Sequence, residues 1–129
     1  MNPSSSERLG RHRRLRSSRD FEAVKRGGTP HRGRFCVLLV LACPGEPTRV
    51  GFVASKRGVG GAVQRNRARR RFREIVRRRF PRLPVTGYSL VIIASSAALS
   101  ASHQELASDV ERVLAAAGAL APIQGTLES

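Results

Sequence analysis

The most constraining feature of this sequence is a run of arginines between residues 62 and 80. The segment Ala62–Phe80 contains nine arginines and a single acidic residue, Glu74. At the helical spacing of about 100° per residue its apolar residues fall on one stripe, which consists of Ala68, Phe72, Ile75 and Val76. The segment is therefore predicted to be a helix that packs one side against a core and is cationic elsewhere. Because like charges repel along a helix, such an element is costly unless a polyanion neutralises it.

The positive charge is concentrated in the first two thirds of the chain. Residues 1–82 hold 23 basic and 5 acidic residues, a formal charge of +18, whereas residues 83–129 have a net charge of −3. A length of 129 residues suits one domain. Charge that is gathered on one part of a domain favours a phosphate-bearing partner such as RNA.

Membrane and secreted classes find no support in the sequence. No stretch approaches the roughly 18 uninterrupted apolar residues of a membrane span, and the basic N-terminus is not followed by the apolar run of a secretory signal. The two cysteines, Cys36 and Cys43, do not form a CxxC motif and do not suggest a disulfide framework. A cytoplasmic protein without a membrane partner is expected.

Helical and strand patterns alternate along the rest of the chain. The predicted elements are a helix from Ser17 or Ser18 to Gly27, strands over 34–41 and 49–56, the arginine helix over 62–80, a central strand over 88–94 and a helix that a capping box opens at 102–105. The first two strands flank a Pro-Gly turn at 44–47 and are predicted to pair as an antiparallel hairpin. The loop after Gly28 starts at Thr29.

This order of elements predicts an α/β (α+β) two-layer sandwich. A single RNA-binding domain is expected over residues 14–118. It would lie between a disordered basic tail at residues 1–13 and a disordered C-terminal tail at residues 119–129.

Catalytic constellations are missing from the sequence. None of His12, His31 and His103 has an acidic residue at a useful spacing, and no HExxH motif occurs. The acidic residues are too few and too scattered for a two-metal nuclease. The glycine loop at 58–61 lacks the GK[ST] of a nucleotide-binding P-loop. We therefore expect no catalytic side chain and no protein-bound metal in this chain.

The stretch from Val53 to Glu74 closely resembles the signature of the bacterial ribonuclease P protein family. The motifs that carry the resemblance are SKR at 55–57, the glycine loop, RNR at 65–67 and RE at 73–74, in this order and at this spacing. The family's opening RL…DF is similar to residues 14–15 and 20–21, and its strand before the last helix is similar to residues 87–94. The resemblance covers residues 14–117.

The resemblance implies a protein subunit of a ribonucleoprotein that removes the 5′ leader from precursor tRNA. The implied partners are the catalytic RNA and precursor tRNA, not DNA. Catalysis would belong to the RNA subunit with Mg²⁺, and the protein itself would bind no cofactor. The implied fold is ribosomal-protein-like, with a left-handed βαβ crossover, which is an exception to the usual hand.

The resemblance also assigns site residues by position. Those expected to contact the catalytic RNA are Lys56, Arg57, Arg65, Asn66, Arg67, Arg69, Arg70 and Arg73. Phe21 and Lys25 are expected at a cleft for the single-stranded leader. Phe35 and Phe52 are further candidates for this cleft, and the sequence leaves open which face of the strands lines it. Lys25 stands where the family often has an aromatic residue, so charge is expected to replace stacking there.

The sequence leaves open the roles of two residues and an alternative function for the chain. Asn66 could contact RNA or only cap or hold its loop, and Phe21 could stack on a base or only pack in the core. The alternative function is a structural RNA-binding protein of ribosomal type, which would use the same arginine helix. A DNA-binding regulator is disfavoured because no partner helix lies at helix-turn-helix spacing.

Overall fold

The computed structural model describes residues 13–15 and 17–119. Its elements in chain order are α1 (Ser18–Gly27), β1 (Thr29–Arg32), β2 (Cys36–Pro47), β3 (Arg49–Val53), α2 (Ala62–Arg79), β4 (Thr86–Ala94) and α3 (His103–Ala116). Short 3₁₀ turns follow α2 at Phe80–Arg82 and β4 at Ser96–Leu99. Apart from Arg13 and Ala119, the two predicted tails lie outside the described residues. No helix within the described ranges is long and apolar enough to cross a membrane.

The four strands form one mixed sheet in the order β1-β2-β4-β3. β2 pairs antiparallel with β4, and β3 pairs parallel with β4. The predicted hairpin of β2 with β3 is therefore wrong, because β4 lies between them. Leu90, Val91 and Ile92 of β4 are at most 1% exposed, and a strand so apolar on both faces is best buried between two neighbours.

The segment that was predicted as a hairpin turn is instead an irregular end of β2. The register of β2 against β4 shifts between Cys43 and Pro47. Gly45 has a φ of +83° in this stretch, which glycine adopts at little cost. The bulge carries the chain past the end of β4, so that β3 starts on the far side of that strand.

β1 was predicted as part of a loop and is an edge strand. Thr29–Arg32 pairs antiparallel with residues 37–40 of β2. Its second residue is Pro30, which donates no backbone hydrogen bond and is tolerated at the edge of a sheet. A four-residue strand that contains proline carries too weak a pattern to be recognised from the sequence.

The predicted α/β (α+β) fold is confirmed, with the sheet and the two longer helices as its two main layers. α2 and α3 pack against one face of the sheet, where their apolar stripes meet Leu38, Val50 and Ile92. The short α1 covers part of the opposite face, where Phe21 and Val24 pack near Val91. The connection from β3 through α2 to the parallel β4 is a βαβ crossover, and its left hand stays a prediction.

Gly51 explains how α1 approaches the sheet so closely. A Cβ atom at this position would lie 2.5 Å from the Phe21 ring and 3.1 Å from Cβ of Leu15. No side chain fits in that space without displacing the ring. The glycine therefore places Phe21 directly on β3, at the edge of the sheet.

Candidate nucleic-acid interface

The nine arginines of α2 divide into two sets according to their partners. In the first set the guanidinium groups are engaged by the protein itself. Arg77 and Arg78 pair with Glu74, and Arg79 donates to Glu111 of α3 over 2.9 Å. Arg71 donates to the carbonyl oxygens of Ala98 and Ala101 over 2.7 and 2.6 Å. Arg71 and Arg79 thereby fix α2 to the segments that follow β4, whereas Arg77 and Arg78 are satisfied within the helix.

The second set occupies the N-terminal two thirds of α2 and has no carboxylate partner within the described residues. Its members are Arg65, Arg67, Arg69, Arg70 and Arg73, all of them predicted RNA contacts. Only Arg69 has a side-chain hydrogen bond there, which it donates to the Oδ1 atom of Asn66. An ion pair satisfies a cation internally, so this set is the one available to an external polyanion.

Mutual repulsion within this surface is visible in the pKa values of two arginines. Burial lowers the pKa of Arg73, and the charges of Arg14, Arg69 and Arg70 lower it further. Burial also lowers the pKa of Arg71, with Arg67 adding to the effect. Phosphate groups placed among these side chains would relieve the repulsion.

Lys56 and Arg57 are exposed in the loop that leads into α2. That loop is compact, because the Ser55 hydroxyl accepts a hydrogen bond from the Gly58 amide over 2.9 Å and the Ser55 carbonyl accepts one from Val59. The structure therefore joins Lys56 and Arg57 to the N-terminal end of the arginine helix, as the motif spacing predicts.

A cleft of about 300 Å³ lies between α1, β3 and α2. It contains three of the four residues predicted to hold a leader, namely Phe21, Lys25 and Phe52. Its remaining lining residues are Ser18, Glu22, Val53, Ala54 and Arg69. The guanidinium of Arg73 lies over the Phe52 ring, 5.7 Å from its centroid, so this aromatic residue also contacts the arginine helix.

Phe35 does not line this cleft, which corrects the fourth assignment. It is 7% exposed and belongs to the core between the sheet and the helices α2 and α3. The reason is the strand order: Phe35 immediately precedes β2, and β4 separates β2 from the β3 edge where the cleft lies.

Arg69 belongs to the cleft as well as to the arginine helix, and sequence analysis placed it only on the helix. Its side chain lines the cleft together with Phe21 and Phe52, and Asn66 holds it from one helical turn away. This contact is neither RNA binding nor the capping or holding of the loop, so both roles of Asn66 stay predictions. Helical spacing between Asn66 and Arg69 could have indicated the pair, but only the fold shows what Arg69 faces.

The described residues contain no group of three or more His, Cys, Asp or Glu side chains that could hold a metal ion. Burial raises the pKa of the Cys36 thiol to about 12, with the Asp109 carboxylate adding to the effect. Cys36 is therefore a buried apolar residue rather than a nucleophile.

Comparisons with known proteins all point to one family. The family model described as Ribonuclease P matches residues 9–118. The ribonuclease P protein component of Salinispora tropica is 41% identical over 126 residues, covering 82% of this chain and 90% of the relative. That of Symbiobacterium thermophilum is 44% identical over 108 residues, covering 83% and 92%.

Solved structures show the same fold. The RNase P protein of Thermotoga maritima superposes with a TM-score of 0.68 at 26% identity, over 78% of this chain and 94% of that one. The RNase P protein of Staphylococcus aureus superposes with a TM-score of 0.73 at 23% identity, over 84% and 97%.

Proposed function

This chain belongs to the ribonuclease P protein family and is the protein subunit of that endoribonuclease complex, and from this premise we propose how it contributes to leader removal. Its partner is the ribonuclease P RNA. In our proposal the RNA subunit carries out hydrolysis, and this chain supplies no catalytic side chain. The alternative of a structural protein of ribosomal type is not favoured by the family match.

The observation that carries the proposal is the division of the α2 arginines. The second set of α2 arginines, with Lys56 and Arg57 of the preceding loop, docks on the RNA subunit, because none of these side chains has a carboxylate partner within the described residues. Each phosphate contact releases condensed counterions, which contributes favourably to the binding free energy at low salt.

The cleft beside α1 binds the single-stranded leader of precursor tRNA. Phe21 and Phe52 offer apolar surfaces, and Lys25 and Arg69 offer charge for the phosphates between stacked bases. Stacking of one base on an aromatic side chain contributes about 1–3 kcal/mol. Mature tRNA lacks the leader, so these contacts raise affinity for the substrate over the product.

Mg²⁺ enters the proposal only through the RNA subunit. Positive side chains neutralise phosphates that otherwise need cations, so the protein lowers the Mg²⁺ concentration at which the complex is active. We also place the complex in the cytoplasm. Cys36 and Cys43 are both free thiols, which suits a reducing compartment.

The direct test is cleavage of precursor tRNA at low Mg²⁺ by the cognate RNA, with and without the purified full-length protein. We expect cleavage at low Mg²⁺ only with the protein, and comparable rates at high Mg²⁺. A sample of protein alone is the control and should leave the precursor intact. Cleavage by the protein alone, or no effect of the protein at any Mg²⁺ concentration, would contradict the proposal.

Substitution of Phe21 by leucine tests the leader cleft. Leucine keeps most of the apolar packing and loses the aromatic face, so affinity of the complex for precursor tRNA should fall about tenfold, within the range expected for one lost stacking contact. Affinity for mature tRNA should not change. Phe35→Leu is the matched control, because Phe35 lies in the other core cluster and should leave the precursor-to-product ratio intact. Equal losses for both tRNAs with Phe21→Leu would show that Phe21 only packs.

A further inference from the structure

A second concave surface lies on the flank of α2 opposite the leader cleft. It is a pocket of about 540 Å³ between residues 63–74 of α2 and the start of α3. Its lining residues are Val63, Arg67, Arg70, Arg71, Glu74 and His103. Val63, Arg67, Arg70 and Glu74 follow at spacings of four, three and four residues and so share one helical face. Arg69, in the leader cleft, is two positions from Arg67 and points to the other side of the helix.

The charge of this pocket is strongly positive. Three arginines surround one carboxylate, that of Glu74, and Arg77 and Arg78 already engage it. Arg71 is fixed by its hydrogen bonds to the carbonyls of Ala98 and Ala101 and forms a rigid wall. Arg67 and Arg70 are exposed and have no carboxylate partner within the described residues. The pocket therefore offers two guanidinium groups to an anion.

The pocket also has an apolar side. Val63 is 77% exposed and lines the pocket. A single exposed valine on a protein surface is ordinary, but this one adjoins a concavity with two available cations. An apolar side chain next to two guanidinium groups suits a nucleotide, whose base can contact the apolar side chain while its phosphate binds the guanidinium groups. Proteins that recognise RNA specifically bind such bases where the RNA is unpaired.

We propose that this flank pocket binds an unpaired nucleotide of the ribonuclease P RNA, with Arg67 and Arg70 at its phosphate and Val63 and His103 beside its base. The proposal rests on the proposed function, since it needs that RNA as partner. It extends the RNA-binding surface from α2 to the start of α3, where neither sequence motif nor family match assigns a contact. The RNA subunit would then contact the exposed face of α2 and the flank with this pocket, and the leader would bind at the opposite flank.

His103 provides the sharpest test, because it lies on α3 and not on the arginine helix. We compare His103→Glu with Gln104→Glu in the full-length protein. Both residues are exposed in the first turn of α3, where an acidic residue is favourable for the helix. Gln104 lines a different cavity, beside Arg34 and Asp109. Affinity for the ribonuclease P RNA without substrate should fall about tenfold for His103→Glu and less than twofold for Gln104→Glu.

A second pair examines the apolar side of the pocket. Val63→Asp is compared with Val85→Asp, because Val85 is 85% exposed and lies in the loop before β4. Both variants change the net charge equally. Val63→Asp should weaken binding of the RNA at least tenfold, and Val85→Asp less than threefold. Thermal unfolding of each variant confirms that it is folded.

The outcomes separate this inference from the proposed function. If the unaltered protein does not bind the ribonuclease P RNA, the proposed function fails. If the unaltered protein binds this RNA and the two variants of each pair lose the same affinity, the proposed pocket is overturned and the proposed function stands. If His103→Glu lowers affinity for precursor tRNA alone, the pocket takes substrate and the assignment to the RNA subunit is wrong. A photo-crosslinker at position 63 should join to an unpaired position of the RNA subunit, and a crosslink confined to the leader would overturn the proposal.

Discussion

Replacing Arg65 and Arg67 together by alanine is expected to weaken binding of the ribonuclease P RNA about a hundredfold at low salt. A hydrogen bond to a charged group contributes about 1.5–3 kcal/mol, and about 1.4 kcal/mol corresponds to a factor of ten. Because each lost phosphate contact removes roughly one unit from the dependence of log K on log salt, the slope should fall by about two. Titrations of labelled RNA at several salt concentrations measure both quantities.

The matched control replaces two arginines that already form ion pairs with carboxylates of the protein. Arg26 pairs with Glu22 on α1, and Arg78 pairs with Glu74 at the far end of α2. Their side chains are 83% and 65% exposed, so alanine at both positions should not disturb the core. The double control variant has the same net charge as the test variant. If both variants lose affinity equally and with the same salt slope, net charge rather than a positioned surface determines binding.

Local periodicity explains why the arginine helix could be predicted from the sequence. Ala68, Phe72, Ile75 and Val76 are each at most 1% exposed, as their common stripe requires. The capping box at Ser102 and Glu105 is present with both of its hydrogen bonds. Such features depend on residues within one or two turns of each other, so the sequence alone contains the necessary information.

Strand order and the partners of individual arginines are not local, and there the sequence was insufficient. β4 separates β2 from β3 although it follows both in the chain, and this placement removed Phe35 from the predicted cleft. The division of the α2 arginines likewise depends on Glu111 and on the carbonyls of Ala98 and Ala101, which come later in the chain. The family resemblance predicted RNA contacts only for the five α2 arginines of the second set, but it could not supply the protein partners that engage the other four.

Asp109 is a structural residue that the sequence did not reveal. It lies on the core side of α3 and is 3% exposed, an unusual burial for a carboxylate. Its two oxygens accept hydrogen bonds from the amides of Arg34 and Phe35 over 2.8 and 2.9 Å, and Arg112 also donates to it. A Cβ atom on Gly33 would lie 2.4 Å from Oδ2, so this glycine makes room for the carboxylate. Asp109 thus ties the turn between β1 and β2 to α3.

Substitution of Asp109 by asparagine should lower the free energy of unfolding by about 3 kcal/mol. An asparagine amide accepts with only one of its two terminal atoms, so either the Phe35 amide or the Arg34 amide faces an NH₂ donor instead of an acceptor. Arg112 donates to the same oxygen as the Arg34 amide, so its guanidinium faces either a neutral acceptor or none. Domains of this size have about 5–15 kcal/mol in total, so the loss should be plain in urea denaturation at pH 7. Glu111→Gln is the control on the same helix, because its ion pair with Arg79 is partly exposed and should contribute less than about 1 kcal/mol.

The same carboxylate should make stability depend on pH in a predictable direction. Burial raises the pKa of Asp109, but the hydrogen bonds from Phe35, Arg34 and Arg112 outweigh burial and leave the pKa below its ordinary value. A folded-state pKa below the unfolded value of about 3.9 stabilises the fold above that pH, and this stabilisation is lost as the pH falls further. As the pH falls from about 5 to about 3, roughly one unit on either side of that value, the free energy of unfolding of the unaltered protein should therefore fall more than that of Asp109→Asn. Parallel pH profiles for the two proteins would show that Asp109 does not contribute as a charge, and the loss at pH 7 would then reflect geometry alone.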